Sequence, residues 1–317
     1  MKPPYDITPS ILKRISSISE KIGEVNARYL SKQSPQLRKQ NRIKTIQSSL
    51  QIEGNTLTTE QITALIENKR VFGPKKDVTE VQNAIQVYDE LTTYKPHSEK
   101  AFLKAHAALM RGLIDPVGKY RNQGVGIVKG EKLEHVAPPF QNVPYLMKDL
   151  FAYLKDADEL TLIKSCVFHY EMEFIHPFLD GNGRMGRLWQ TVILLQDFPV
   201  FEFLPFEKLI SETQNAYYQS LSESDKLGKS TPFIEYMLGV IDESLAELLN
   251  YTQRILKDTD RLAYFLGQGF TEFSRKDYMR VFKDISTATA SRDLKKGLEL
   301  NLFESSGELN KTRYFIK

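Results

Sequence analysis

The segment His176-Pro177-Phe178-Leu179-Asp180-Gly181-Asn182-Gly183-Arg184-Met185-Gly186-Arg187 gathers one histidine, one carboxylate, a Gly-Asn-Gly turn and two arginines three positions apart. No fold needs that combination merely for packing. Glycines leave backbone N–H groups bare, and the following residues, Arg184 to Leu195, read as a helix. A helix N-terminus binds anions through its unpaired donors and the positive end of its dipole. Arg184 and Arg187 share one face of that helix, so both guanidinium forks point toward the same polyphosphate. Asp180, just before the turn, is placed to hold Mg²⁺ against phosphate oxygens, as hard oxygen ligands do. An unperturbed imidazole titrates near neutral pH, the property that suits a histidine such as His176 to taking a proton. The chemistry these types predict is phosphate chemistry.

A second constellation lies far upstream. Ser49-Leu50-Gln51-Ile52-Glu53-Gly54 closes a helical pattern over 40–53, and Gly54 reads as its left-handed stop. Ser49 and Glu53 are four apart and share a face. A carboxylate in the last turn faces the negative end of the helix dipole, at a cost of about 0.3–1 kcal/mol. Glu53 therefore needs a cation.

The elements that must position these groups are mostly helical. Amphipathic patterns cover 8–30 and 40–53, and Thr58-Thr59-Glu60-Gln61 opens a capped helix to about Asn68. Further helices are predicted over 78–95, 99–113, 143–155 and 160–175, and from 205 to about 266 with a loop at Leu227–Pro232. Between them, Val125 to Val136 reads as a β-hairpin with Lys129-Gly130-Glu131 at its tip, stopped by Pro138-Pro139. The last fifty residues predict helices over 274–282 and 286–296 and a hairpin over 302–316, the order of a winged helix-turn-helix. From 270 to 317, ten Lys/Arg stand against seven Asp/Glu, a balance of +3 that is too small to argue DNA contact on charge alone. Such a module docks DNA or a protein partner. The expected organisation is an N-terminal helical segment (1–95), a catalytic core with its hairpin (96–240), a linker helix (241–268) and the winged helix (269–317).

Composition removes other classes. A net charge of +3 across 317 residues implies neither nucleic-acid nor membrane binding. The single cysteine, Cys166, excludes an intrachain disulfide and fits a reducing compartment. The first residues lack a signal peptide's apolar run. The most apolar stretch, Leu188 to Phe206, is broken by Gln196, Asp197, Pro199 and Glu202, so no membrane span is expected. A cytoplasmic protein is the expectation. His97, His106, His135 and His169 are scattered and make no zinc spacing. His169 and Glu173, four apart on one helix, read as a structural pair.

The twelve-residue motif resembles the signature of the Fic family, His-Pro-Phe-x-Asp/Glu-Gly-Asn-Gly-Arg-x-x-Arg, at every specified position. The resemblance extends over roughly 40–240. Gly118-Lys119-Tyr120-Arg121, the hairpin and Pro138-Pro139 are similar to the family's substrate flap, Leu146-Met147-Lys148-Asp149-Leu150 to the helix after it, and Tyr217-Tyr218-Gln219-Ser220-Leu221 to a downstream Tyr-Tyr-x-x-Leu segment. It implies a mainly α, Fic-fold helical bundle with a small β-hairpin flap, and transfer of AMP from ATP to a Ser, Thr or Tyr hydroxyl of a target protein. Under that resemblance His176 is the general base and Asp180 binds Mg²⁺. Gly181, Asn182 and Gly183 form the anion nest, with Asn182 on the α-phosphate, and Arg184 and Arg187 hold the β- and γ-phosphates. Ile127, Val128, Lys129 and Gly130 pair with the target's main chain, and Tyr217 and Tyr218 are candidates for the adenine site. Ser49, Glu53 and Gly54 resemble the family's inhibitory motif, Ser/Thr-x-x-x-Glu-Gly/Asn, whose glutamate takes the second arginine, here Arg187, from the γ-phosphate. The same scaffold leaves open other transfers (UMP, phosphocholine, phosphate), removal of AMP, or a DNA-binding regulator that senses nucleotide. Dimerisation is common among such proteins, but no interface is legible in the residues.

Overall fold

A computed structural model of the chain describes residues 2–28, 35–129, 132–155, 158–254, 258–282, 285–307 and 312–316. The chain divides into two compact units, Met1–Ala246 and Glu247–Lys317.

In the first unit, α1 (Pro9–Arg28) buries Ile11, Ile18, Ile22 and Val25 on one stripe, and α2 (Pro35–Ile52) buries Ile43, Ile46 and Leu50. Next comes α3 (Thr59–Ile66), which starts at a complete capping box: the Thr58 hydroxyl accepts from the Gln61 N–H, and the Gln61 side chain accepts from the Thr58 N–H. Helices α4 (Lys75–Asp89) and α5 (Glu99–Leu109) follow, then strands β1 (Gly126–Lys129) and β2 (Lys132–Val136). The strands pair antiparallel, from Gly126 opposite Val136 to Lys129 opposite Lys132, with a register shift between Ile127 and Val128. Helices α6 (Val143–Tyr153), α7 (Thr161–Ile175), α8 (Asn182–Leu194), α9 (Phe206–Glu212) and α10 (Gln214–Leu227) follow, and α11 (Thr231–Arg254) belongs to this unit as far as Ala246.

At the centre lies α8, buried on almost every side. It packs directly on α7, and the loop between them carries the motif. Close approach depends on Gly186, where a Cβ would stand 2.6 Å from the His169 ring and 2.7 Å from Glu173 Oε1. Around this pair Phe102, Phe151, Phe168 and Trp189 meet edge to face, with centroids 5.0–6.5 Å apart. The N-terminal helices do not form a unit of their own, because α2 packs on α8 and α9. No helix among the described residues is long and apolar enough to cross a membrane.

The second unit contains α12 (Asp258–Leu266), β3 (Glu272–Ser274), α13 (Arg275–Val281), α14 (Thr287–Glu299), β4 (Phe303–Ser306) and β5 (Arg313–Ile316). Its sheet runs β3-β5-β4, antiparallel throughout. The strand β3 is absent from the sequence reading, since three residues are too few to show alternation. Ser274 and Ser286 cap α13 and α14. Leu262, Phe265, Phe273, Tyr278, Ala290, Leu294 and Phe303 form its core.

Burial holds His169 neutral, with its pKa pushed down to about 3, despite its bond to Gln190. The unfolded chain returns it to about 6.5. Between those values the unfolded state binds more protons, so stability is lost as pH falls, at up to about 1.4 kcal/mol per pH unit from this group. We expect urea midpoints to drop from pH 6.5 to 4, with a shallower slope in His169→Gln. Gly186→Ala overfills the α7–α8 contact, and the same measurement at pH 7 is expected to show a loss of about 1–3 kcal/mol.

Candidate active site

The helix α7 ends because His176 takes a left-handed backbone, φ +50°, ψ +60°. A non-glycine residue there costs roughly 1–3 kcal/mol unless its surroundings hold it. Arg121 does so. This residue, 3% exposed, donates from Nε to the His176 carbonyl at 2.8 Å and from Nη2 to the Ile175 carbonyl at 3.3 Å. Its own N–H bonds the Pro177 carbonyl at 2.8 Å. The same guanidinium donates to the carbonyls of Gln123, ahead of β1, and Pro138, after β2. One buried side chain thus ties both ends of the hairpin to the histidine.

Two further side chains fix the rest of the loop. Asn182 Nδ2 donates to the Phe178 carbonyl at 3.0 Å, and Asn182 Oδ1 accepts from the Phe178 N–H at 2.9 Å. His106 stacks on Phe178 with centroids 3.6 Å apart, accepts from the Gly118 N–H at Nδ1 (2.9 Å) and faces the Asp180 carbonyl with Nε2 at 3.0 Å. Acceptance at Nδ1 assigns the proton to Nε2, which donates to Asp180. Burial pushes the His106 pKa down to about 4, so the ring is neutral at pH 7.

Gly181 caps α8 at φ +85°, so Asn182 and Gly183 are its first helical residues and their N–H groups belong to the open first turn. Arg184, on that turn, donates from Nη1 to Glu80 Oε1 and from Nη2 to Asp180 Oδ1, both at 3.0 Å. Asp180 is half-exposed; Oδ1 also accepts from the Gly181 N–H, which leaves Oδ2 without a hydrogen bond among the described residues. Arg187, whose side chain is 1% exposed, donates from Nε to Ser49 Oγ at 3.1 Å and from Nη2 to the Ser49 carbonyl and to Glu53 Oε1, both at 2.8 Å. Burial works against its charge, and the Glu53 carboxylate, together with the fields of Tyr217 and Glu173, more than offsets that, leaving the Arg187 pKa raised. Glu207, also buried beside Arg187, is no rival, because burial pushes its carboxyl up to about 8 and leaves it protonated at neutral pH. Glu53 follows α2 directly, and Gly54 stops the chain there at φ +89°. Its carboxylate also covers the first turn of α8: a Cβ on Gly183 would run into Glu53 Oε1 and lie 3.1 Å from Arg187 Nη1. That Nη1 is buried with no hydrogen-bond acceptor among the described residues.

The profile of the Fic/DOC family matches residues 96–194. The crystal structure of a Fic family protein from Desulfovibrio desulfuricans G20 is 41% identical, with a TM-score of 0.78, over 100% of this chain and 98% of that one. The chain belongs to the Fic family. The protein adenylyltransferase fic-1 of Caenorhabditis elegans is 30% identical over 67% of this chain and 41% of its own length. A probable protein adenylyltransferase of Aquifex aeolicus is 27% identical over 74% of this chain and 77% of its own. The chain therefore spans about two fifths of the length of the first curated relative it matches.

Within this Fic fold two sequence expectations change. Tyr217 does not line an open adenine site: it is 2% exposed, its hydroxyl lies 3.1 Å from His169 Nε2, and Phe233 and Tyr236 enclose it. Tyr218 is the exposed member of the pair, and Gln214 joins its hydroxyl to the end of α2 through the Ile52 carbonyl. The Asn182 side chain is spent on Phe178, so only its backbone N–H remains for a phosphate. Ile127, Val128 and Lys129 lie on β1, while Gly130 and Glu131 fall outside the described residues. His169 is buried between Gln190 and Tyr217 as a core residue.

Glu80 and the roles of Arg121 and His106 escape the sequence reading, because their partners are backbone carbonyls or residues far away in the chain. Arg121→Lys keeps a charge but loses the fork that spans the four carbonyls. It is expected to leave ATP affinity within about threefold and to lower turnover on the order of 10²-fold, because the histidine shifts. Calorimetry against single-turnover rates separates the two.

Proposed function

We propose that the chain is a protein adenylyltransferase restrained by its own Glu53. In the active arrangement the His176 imidazole removes the proton from a target Ser, Thr or Tyr hydroxyl, whose oxygen attacks the α-phosphorus of ATP. The bond to the α,β-bridging oxygen breaks, and pyrophosphate leaves with the electron pair. The N–H groups of Asn182 and Gly183, at the positive end of α8, face charge on the phosphates. Arg184 serves the β-phosphate and Arg187 the γ-phosphate. The flap strand, at Ile127, Val128 and Lys129, presents the target by main-chain pairing.

Mg²⁺ fits this donor set. A single half-exposed carboxylate with one uncommitted oxygen, Asp180, suits an ion that completes its shell with phosphate oxygens and water. Among the described residues no cluster of three or more His, Cys, Asp or Glu would hold an ion without them. Bound there, the ion would neutralise charge on the α- and β-phosphates.

The observation that carries the reading is the position of Glu53, on both the Arg187 fork and the first turn of α8. A carboxylate in that place competes with the γ-phosphate for the same donors. ATP that enters without Arg187 sits in a displaced pose, and poor alignment alone is worth several kcal/mol of barrier. The curated relatives named adenylyltransferases support the transferred group. The second unit reads as a winged helix-turn-helix for a DNA or protein partner, supported by the order α13, α14, β4, β5.

ATP labelled at either the α- or the γ-phosphate tests this. We expect α-label on protein, faint in the native chain and at least tenfold stronger in Glu53→Gly, with His176→Ala abolishing it in that background. Transfer of the γ-label alone would rule out adenylylation. An unchanged rate in Glu53→Gly would rule out the restraint.

A further inference from the structure

The carboxylate of Glu80, on α4, lies between two residues to which the motif and the inhibitory segment lead separately. Its Oε1 accepts from Arg184 Nη1 at 3.0 Å. Its Oε2 accepts from Asn55 Nδ2 at 2.8 Å. Glu80, Arg184 and Asn55 are 3%, 4% and 8% exposed. Asn55 is the residue after Gly54, two positions beyond Glu53. Its amide cannot turn over without loss, since Oδ1 accepts from the Leu57 N–H at 3.1 Å and Nδ2 also donates to the Asp77 carbonyl at 3.1 Å. The donor end of Asn55 is therefore fixed toward Glu80. Both oxygens of residue 80 must accept, and only a carboxylate does that. The remaining cation nearby, Lys76, is 3.9 Å from Oε1 and mostly exposed.

We propose that Glu80 is a positioning residue for Arg184, and that Asn55 makes the inhibitory segment set this arginine as well as Arg187. Asp180 and Glu80 each hold one side of the Arg184 fork. When Asp180 turns to a metal, Nη2 is released for the β-phosphate, while Glu80 keeps Nη1 and the plane of the guanidinium. The two residues after Glu53 carry the segment's position to that anchor. Departure of Glu53 from Arg187 thus disturbs Arg184 unless Asn55 stays in place, and the segment pivots at Gly54 (φ +89°) instead of leaving as a body.

The inference rests on the reading that Arg184 receives the β-phosphate, so its test is nucleotide binding, not transfer. Calorimetry in the Glu53→Gly background with Mg²⁺ compares ADP, which has a β-phosphate, with AMP, which has none. Glu80→Gln, nearly isosteric, is expected to raise the ADP Kd about tenfold and leave AMP within twofold. Asn55→Ala is expected to raise it about threefold. The double variant is expected to match Glu80→Gln alone, because Asn55 acts through Glu80. Glu80→Asp, which keeps the charge but shortens the reach, is expected to shift ADP in the same direction and serves if the amide variant is poorly folded. Equal losses for ADP and AMP would mean a general structural role and overturn the proposal. So would an ADP Kd within twofold of the parent in both Glu80 variants, or factors that multiply in the double variant. A Glu53→Gly parent that binds ADP no better than AMP removes the β-phosphate role of Arg184 itself, a failure visible before any Glu80 variant is made. Absence of α-label transfer with the ADP effect intact would sink the adenylyltransferase reading and leave this one standing.

Discussion

Arg187 is buried in the protein's centre, and a buried guanidinium demands an anion, because desolvation in the interior costs several kcal/mol without one. The surroundings meet that demand asymmetrically. Ser49 supplies two neutral acceptors and Glu53 the bonded carboxylate, while Glu207 is held neutral by its own burial. One nitrogen of the fork has no acceptor among the described residues and faces the first turn of α8. In the proposed function, a polyphosphate arriving there would meet a site that is already charged, dehydrated and partly filled. The same desolvation that makes Arg187 a strong partner for Glu53 would make it, in the proposed function, a strong ligand for phosphate. Strength of binding and strength of restraint come from one source.

The remaining architecture serves to hold that position. Gly186 lets α7 and α8 approach until His169 and Glu173 lie against the backbone of α8, and this sets the depth of Arg187. The loop between the helices is then too short to relax, and His176 accepts a left-handed backbone. Arg121, Asn182 and His106 secure the strained loop by bonding its carbonyls and N–H groups. Pre-organisation of this kind lowers the reorganisation needed when charge develops.

Legibility followed the range of the interaction. The motif's composition spoke for phosphate chemistry because a helix N-terminus, two arginines and a carboxylate within twelve residues depend only on local geometry. Capping at Thr58 was legible for the same reason, as was Gly54 as the end of α2. Tyr217 and Tyr218 were not separable, because adjacent aromatics look alike until one is seen against His169 and the other at the surface. Glu80 carries no local signal at all: it is one acidic residue on a helix rich in polar side chains, and its meaning comes from Arg184, more than a hundred residues away.

The residues alone therefore determined the chemical inventory and the helices that carry it: a histidine, a carboxylate beside a helix N-terminus, two arginines on its first turns, and a carboxylate upstream in need of a cation. Tertiary structure decided who answers whom. It placed Glu53 over Gly183 as well as on Arg187, gave Glu80 to Arg184 and Asn55 together, buried Tyr217 against His169 and bonded the Asn182 side chain to Phe178. The reason is physical. Type and spacing set what a side chain is able to do within a turn or two of helix, whereas burial, and the partner it forces on each charge, exists only once distant segments have packed.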